Sequence, residues 1–162
     1  MIFLKVVHKM PIIKTNVYIH APINCCFDLA RNVEAHTKTT LGTKEKAIGG
    51  VTSGLLNEGD IVTWEATHFW IRHKLTAKII HMEYPYKFTD TMVRGIFKSF
   101  THTHEFVEVN QNETIMIDIF EYRSPFGIVG NIADYLFLEK YMRKFLENRG
   151  KELKKLAENI QM

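Results

Sequence analysis

Residues 124–160 read SPFGIVGNIADYLFLEKYMRKFLENRGKELKKLAENI, a helix-breaking turn followed by a long amphipathic segment. Charged residues such as Lys144, Glu147 and Lys151 fall on one face of this segment. Apolar residues recur at helical spacing on the other face: Ile132, Tyr135, Leu138, Met142, Phe145, Leu153, Leu156 and Ile160. An apolar face of this length needs a large apolar surface to pack against. The pattern therefore predicts that the chain closes with a long helix, which runs almost to Met162 and lies on the rest of the protein.

The sequence before this segment alternates between apolar and polar residues, as a strand with one buried face does. Pro22 opens one or two short helices that reach about Thr40, and Gly49-Gly50 and residues 57–60 mark turns. Beyond Asp60, one phase of the alternation holds Val62, Trp64, Ala66, His68 and Trp70. Strands are predicted over residues 12–19, 60–70, 74–79, 88–97, 100–109 and 114–122. This order predicts an α+β fold in which an antiparallel sheet carries the C-terminal helix.

Length and composition are those of one compact globular unit, so residues 1–162 are predicted to form a single domain. The net charge of +3 is small and its basic residues are spread along the chain, so we expect no nucleic acid partner. No apolar stretch is long enough to span a membrane, which predicts no integral membrane association. The segment Met1–Lys9 lacks the features of a signal peptide, and its role is left open, as is the oligomeric state.

Two adjacent cysteines, Cys25 and Cys26, exclude a disulfide framework and are typical of a reducing compartment. We therefore expect a cytoplasmic protein in which both thiols are buried in a helix. The sequence contains no nucleophile elbow, no phosphate-binding glycine loop and no dinucleotide fingerprint. These absences favour a binding protein over an enzyme, and they predict no cofactor.

Several short motifs, spread over nearly the whole chain, resemble one known superfamily. They are Ile19-x-Ala21-Pro22 with Phe27-Asp28-Leu29, Gly59-Asp60, Phe88-x-Asp90, Arg94-Gly95-x-Phe97, His102-x-His104-x-Phe106, and Asp118-x-x-x-Tyr122-x-x-Pro125-x-Gly127. Together they resemble the START/Bet v 1-like superfamily, also called SRPBCC. The resemblance is closest to its bacterial ligand-binding members, which are sometimes described as cyclase/dehydrase-like.

The resemblance implies a helix-grip fold, in which a seven-stranded antiparallel sheet wraps around the C-terminal helix and two short helices follow the first strand. It also implies a deep apolar cavity between sheet and helix. Members of the superfamily bind lipids, isoprenoids, polyketides, hormones or aromatic compounds, and a minority catalyse cyclisation, dehydration or hydrolysis. The implied partner is therefore a hydrophobic small molecule, which fold alone does not identify.

Two predicted strands carry the polar residues that such a cavity would present. Phe100, His102, His104 and Phe106 share one face of the first. In the last strand, periodicity alone favours an inward phase of isoleucines that includes Ile117, whereas the resemblance favours the phase of Asp118, which we adopt. The predicted ligand-binding residues are Trp64, His68, Phe97, Phe100, His102, His104, Phe106, Met116, Asp118, Phe120, Tyr122, Met142 and Phe145.

Within this set, Asp118 is predicted to lie beside His102 or His104 and to fix the imidazole tautomer. With Tyr122, these residues would recognise the polar group of a ligand; alternatively they only satisfy one another, or His102, His104 and Asp118 act as a catalytic acid and base. His102-x-His104 with Glu108 also has the spacing of a cupin metal site, but the flanking glycines are missing. No metal is predicted unless a third ligand lies nearby. A collapsed cavity, with function on the protein surface, is the remaining alternative.

Overall fold

The structure is a computed structural model, and it describes residues 10–124 and 137–160. Within these residues the chain forms seven strands and three α-helices. In chain order they are β1 (Ile12–Ile19), α1 (Ile23–Ala30), α2 (Val33–Thr39), β2 (Lys46–Gly50), β3 (Ile61–His68), β4 (Ile71–Glu83), β5 (Lys87–Arg94), β6 (Ser99–Asn110), β7 (Glu113–Arg123) and α3 (Glu139–Ile160). None of these helices is long and apolar enough to cross a membrane.

The strands form one antiparallel sheet in the order β1-β7-β6-β5-β4-β3-β2. The first and last strands of the sequence are therefore neighbours, and the long helix α3 packs against β1 inside the curve of the sheet. The helices α1 and α2 follow β1 directly, and the Asn32 side chain accepts a hydrogen bond from the backbone N–H of Ala35 to begin α2. The predicted helix-grip architecture, with its seven strands and two short helices, is confirmed.

The long helix buries the face that its sequence predicts only in part. Met142 and Leu153 are buried as expected, but Leu156 is half-buried and Ile160 is exposed. The buried stripe is Met142, Leu146, Arg149, Gly150, Leu153 and Ala157, which includes a charged residue. Ile132, Tyr135 and the predicted turn at residues 125–127 lie outside the described residues.

Four local expectations need correction. Gly49 and Gly50 were predicted to form a turn, but they lie in the short edge strand β2. Trp70 does not continue the inward phase of β3, because β3 ends at His68 and Trp70 lies in the two-residue turn before β4, where it is 97% exposed. Residues 95–97 lie outside β5, which ends at Arg94. Cys25 is half-buried, not buried like Cys26.

The thiol of Cys26 is not poised for nucleophilic chemistry. Burial raises its pKa to about 11, and its Sγ lies 3.8 Å from the carbonyl oxygen of Ala21. A thiol with so high a pKa is almost entirely protonated at neutral pH, and only the thiolate is a strong nucleophile. Cys26 is therefore part of the packed core.

Candidate functional site

A cavity of about 170 Å³ lies between the inner face of the sheet and α3. Most of the predicted ligand-binding residues line it. These are Trp64, His68, Phe97, Phe100, His102, His104, Phe120, Met142 and Phe145. Leu75, Ala77, Ile79 and Leu146 add further apolar wall, so the lining is aromatic and aliphatic over most of its surface.

The other predicted residues, Phe106, Met116, Asp118 and Tyr122, are buried but do not line the cavity. Their phase of β7 is the inward one, as the resemblance predicts, while the alternate isoleucines are only half-buried. Phe106 and Met116 pack in the core beneath α1, and Tyr122 packs against Phe120 and Phe97. Asp118 lies within ion-pair distance of both histidines of β6.

A row of ionisable side chains crosses three neighbouring strands at the inner face. Asp90 of β5 pairs in register with His102 of β6, and Asp118 of β7 pairs with His104. The Nε2 atom of His102 lies 3.2 Å from Asp118 Oδ1 and forms a hydrogen bond with it. His104 lies between two carboxylates: its Nδ1 is 2.6 Å from Asp118 Oδ1, and its Nε2 is 3.4 Å from Asp90 Oδ1.

The pKa values of the groups in this row are shifted in different directions. Burial alone would raise the pKa of Asp118, but the charge of His104 and the hydrogen bond from His102 hold it well below its usual range. Burial alone would lower the pKa of His104, but the charge of Asp118 outweighs burial and raises it. For His102, burial and the charge of His104 prevail, so its pKa is lowered. Two histidines with ring centroids 4.0 Å apart are thus shifted in opposite directions.

A second polar group surrounds Glu45, which the sequence analysis did not identify. Glu45 is buried, its Oε2 lies 2.6 Å from His36 Nε2, and its Oε1 lies 4.0 Å from His68 Nε2. His36 stacks on Trp64 with ring centroids 4.0 Å apart, and His68 hydrogen-bonds through Nδ1 to the Tyr141 hydroxyl at 2.7 Å. Burial alone would raise the pKa of Glu45, but the hydrogen bond and charge of His36 lower it. Glu45 follows a short turn with no periodic pattern, so the sequence carries no signal for it.

Arg149 of α3 is the other cavity residue that sequence reasoning missed. It is 6% exposed and lines the cavity, and among the described residues its guanidinium makes one long hydrogen bond, 3.5 Å from Nη2 to the carbonyl oxygen of Ala30. Its Nε has no hydrogen-bond partner among the described residues, and none of their carboxylate oxygens lies within 4.0 Å of the guanidinium. A signal existed, because Arg149 lies at helical spacing from Leu146 and Leu153 on the buried face.

Asp90, His102 and His104 could hold a metal ion, since each offers one ligand atom and these atoms lie within 4.8 Å of one another. Asp90 is thus the third ligand that the sequence analysis required, whereas Glu108 is exposed and takes no part. The same atoms also engage each other and Asp118, as the distances above show. The histidines and carboxylates of the row thus lie within ion-pair distance of one another, while His104 Nδ1 makes no aligned hydrogen bond with a described residue, and no step below depends on a metal.

No protein-family model matches this sequence, and no curated protein matches it. Solved structures with the same fold do. The Zhui aromatase/cyclase from a Streptomyces species matches with a TM-score of 0.77 and 11% identity, over 95% of this chain and 97% of its own. A Thermus thermophilus protein matches with a TM-score of 0.73 and 17% identity, over 90% of this chain and 95% of its own. A third match is a point mutant of norcoclaurine synthase from Thalictrum flavum in complex with a transition-state analogue. Its TM-score is 0.70 and its identity 14%, over 95% of this chain and 98% of its own.

These matches, together with the sheet order and the long closing helix, establish the class of structure. The chain has the helix-grip fold of the SRPBCC/Bet v 1-like superfamily, as its motifs predict. Identities this low establish the fold alone, because one fold hosts many functions.

Proposed function

We propose that this protein binds a hydrophobic small molecule in the cavity between the sheet and α3. The observation that carries the proposal is the combination of an aromatic lining with a buried, nearly unpartnered guanidinium at Arg149. Small-molecule sites generally have apolar walls and a few well-placed polar groups. The two thiols and the mild charge favour a cytosolic location for this activity.

The size of the cavity limits what it encloses. A cavity of about 150 Å³ lined by apolar side chains is large enough for benzene. At about 170 Å³, this one accommodates an aromatic ring or a short apolar segment without rearrangement. A lipid, isoprenoid, polyketide or other aromatic compound would therefore place one apolar portion in the cavity and extend the rest toward its exposed lining residues, Phe69, Lys74 and Ile96.

The polar group of the ligand is expected to be a hydrogen-bond acceptor. A buried guanidinium with one long hydrogen bond is costly, and a carbonyl, hydroxyl or carboxylate oxygen would satisfy its remaining N–H groups. His102 and His104 line the same cavity and would provide additional contacts, while Asp118 fixes their orientation from behind. The proposal thus keeps the histidines of the sequence analysis, adds Arg149, and gives Asp118 an indirect role.

A second candidate function is acid–base catalysis, namely cyclisation, dehydration or hydrolysis of the bound compound. It is favoured by the opposite pKa shifts of His102 and His104, since such pairs separate the roles of base and acid. His102 would accept a proton as the neutral imidazole, and His104 would donate one. The Zhui protein with the same fold is an aromatase/cyclase, which makes this reaction class reasonable to test.

Native mass spectrometry of the purified protein, followed by extraction and identification of any released compound, tests the binding proposal. We expect a stoichiometric apolar compound in the wild type. Ala66→Phe should lack it, because Ala66 lines the cavity and a phenyl ring fills much of the volume. Thr67→Phe, the matched control on the opposite face of the same strand, should retain it. Loss in both variants or in neither would place the compound elsewhere.

Turnover separates the two functions. The extracted compound is incubated with wild-type protein and with His102→Gln and His104→Gln variants, and the products are analysed by mass spectrometry. A carrier returns the compound unchanged in every case. A catalyst consumes it in the wild type and loses about 10²–10⁴-fold in rate in each variant, the usual contribution of a general acid or base.

A further inference from the structure

The turn between β3 and β4 exposes three consecutive apolar side chains, which we call the hydrophobic tip: Phe69, Trp70 and Ile71. Their exposed fractions are 53%, 97% and 60%. Trp70 is one of two tryptophans in the chain, and the other, Trp64, is buried. Single exposed apolar residues are ordinary, but three in succession at a hairpin turn are not, and the almost fully exposed Trp70 is not explained by packing.

The backbone conformation of the tip is unfavourable for the bulky residues that occupy it. Phe69 and Trp70 have φ angles of 50° and 61°, in the left-handed region that favours glycine and asparagine. Two-residue hairpin turns with this geometry are usually Asn-Gly or Asp-Gly. The strand pairing continues to His68 and Ile71, so the ladder holds the tip outward in one conformation. The chain therefore keeps two bulky aromatics at positions where smaller residues would be more stable.

The base of the tip is fixed beside the cavity. The Phe69 ring lies 4.4 Å from that of Tyr141 in the first turn of α3, and His68 hydrogen-bonds to the Tyr141 hydroxyl. Phe69, His68 and Tyr141 all line the cavity. The tip thus projects from the rim of the proposed ligand site.

Strand direction brings other exposed residues to the same end. Because neighbouring strands are antiparallel, the β3–β4 turn, the β5–β6 turn at residues 95–98, the end of β7 and the start of α3 all lie together; we call this the mouth end. Its exposed apolar residues outside the tip include Ile96 and Phe137. Its exposed basic residues, the basic collar, are Arg72, Arg94, Lys98, Arg123 and Lys140.

Negative charge at this end is smaller in amount and less exposed. Among the described residues near the mouth end, the acidic side chains are Glu45, which is buried, and Glu65, Glu121 and Glu139, which are half-buried. Glu139 is paired with Arg143, and Glu65 lies 3.8 Å from Arg72. The exposed surface around the tip is therefore basic.

We propose that the mouth end docks reversibly on an anionic lipid membrane, with the hydrophobic tip inserted at the level of the headgroups and the basic collar against their phosphates. Aromatic side chains favour the membrane interface, and clustered basic residues add electrostatic attraction to anionic lipid. Three side chains bury much less apolar surface than a lipid chain, so even with the basic collar we expect the binding to be reversible. The cavity would then face the membrane, although this docking does not require that the cavity be occupied.

A protein partner fits the same observations less well. A specific protein interface needs roughly 1,000 Å² of well-packed surface. Three side chains on a narrow turn offer a projection rather than a broad complementary face. A lipid surface accepts such a projection without a matching pocket.

The two tryptophans allow a direct spectroscopic test. In Trp64→Phe, Trp70 is the only tryptophan, so its fluorescence reports on the tip. Vesicles of phosphatidylcholine mixed with phosphatidylglycerol should shift its emission to shorter wavelength, and pure phosphatidylcholine should do so much less. Added salt should weaken the effect, because exposed charges are screened. An emission spectrum unchanged by vesicles of both compositions would overturn the proposal.

Co-sedimentation with the same vesicles provides a second test on the protein with both tryptophans. Trp70→Ser should reduce the partition coefficient about tenfold or more, since burial of a large apolar side chain is lost. Ile160→Ser, which alters an exposed apolar residue at the other end of α3, should leave it unchanged. Arg94→Glu with Lys98→Glu should abolish the preference for anionic vesicles, while Lys155→Glu should not. If Ile160→Ser reduced binding as much as Trp70→Ser, or Lys155→Glu as much as the Arg94→Glu, Lys98→Glu double variant, membrane docking through the mouth end would be contradicted.

Self-association is a distinct outcome of the same experiment. If Trp70 emission shifts with protein concentration in the absence of vesicles, and the molar mass doubles, the tip contacts a second copy and the membrane proposal is wrong. Failure of the ligand proposal is seen independently, as a protein that carries no compound in its native mass spectrum yet still binds vesicles.

Discussion

At one end of the sheet Phe27 of α1 is fully buried, and its ring lies 5.1–5.3 Å from those of Tyr84, Phe88 and Phe106. At the mouth end, by contrast, aromatic residues surround an empty volume or project into solvent. We call the first region, formed by α1 with the β4–β5 and β6–β7 turns, the closed end. Both regions contain packed aromatic rings, among them Phe120 with Tyr122, but the mouth end also has Trp70, which is almost fully exposed. Its turn accepts backbone strain at Phe69 and Trp70, which is typical of functional sites.

The comparison predicts its largest effect at the closed end. Phe27→Ala would leave a void among three aromatic rings, so it should lower the free energy of unfolding by about 3–5 kcal/mol. Trp70→Ala removes a larger but exposed side chain and should change that free energy by no more than about 0.5 kcal/mol. Urea denaturation of the two variants measures both values. Similar losses would show that the mouth end is also packed for stability.

A smaller but pH-dependent effect is expected at the charged row of the cavity wall. Asp118→Asn removes one partner of a buried ion pair, which should cost about 3 kcal/mol at neutral pH. Asp28→Asn, the matched control in a half-exposed pair with Arg31, should cost about 1 kcal/mol or less. Urea denaturation at neutral pH gives both differences.

The sign of the pH effect follows from the direction of each shift. The pKa of Asp118 is depressed in the folded protein, so its stabilisation is present above the unfolded value of about 4 and is lost as the pH falls through the folded value. The pKa of His104 is raised, so its contribution is complete below about 6.5 and is lost as the pH rises through the folded value. The pair should therefore be strongest between these limits. A difference between wild type and Asp118→Asn that stays constant below pH ~4 would contradict this assignment.

The smallest expected effect is a gain in stability at the tip. Trp70→Gly relieves a left-handed backbone and should be about 1 kcal/mol more stable than Trp70→Ala, which keeps a Cβ at the same φ angle. Thermal unfolding of the two variants measures the difference. Both variants should lose vesicle binding to the same degree, since both lack the indole. If Trp70→Gly is no more stable than Trp70→Ala, the turn is not strained, and backbone strain gives no evidence that these residues are kept for function.

The sequence predicts the elements with strong periodicity. The span of β1, the short helices after Pro22 and the pairing of β6 with β7 all follow from alternation and turn residues. The inward phase of β7 does not follow from periodicity. The isoleucines on the half-buried face of β7 are more hydrophobic than the residues of the buried face, which contains Asp118. Only the family resemblance selected the correct phase.

The remainder depends on contacts between residues that are distant in sequence. Glu45 meets His36 and His68 only after the sheet curves around the helix, so no local pattern identifies it. Asp90 of β5 approaches His104 of the neighbouring strand β6, and predicting this contact requires knowing the register of the two strands. The strand predicted over residues 60–70 runs past the true end of β3 to Trp70, because the alternation gives no sign of that end and the turn lacks the usual Asn-Gly signal.

A crystal structure of the protein with its extracted compound tests the central claim most directly. We expect the apolar body of the compound to lie between the sheet and α3 against Phe100 and Phe120, with an acceptor atom within hydrogen-bonding distance of Arg149. A compound bound on the outer face of the sheet, or one that leaves the Arg149 guanidinium without a partner, would contradict it.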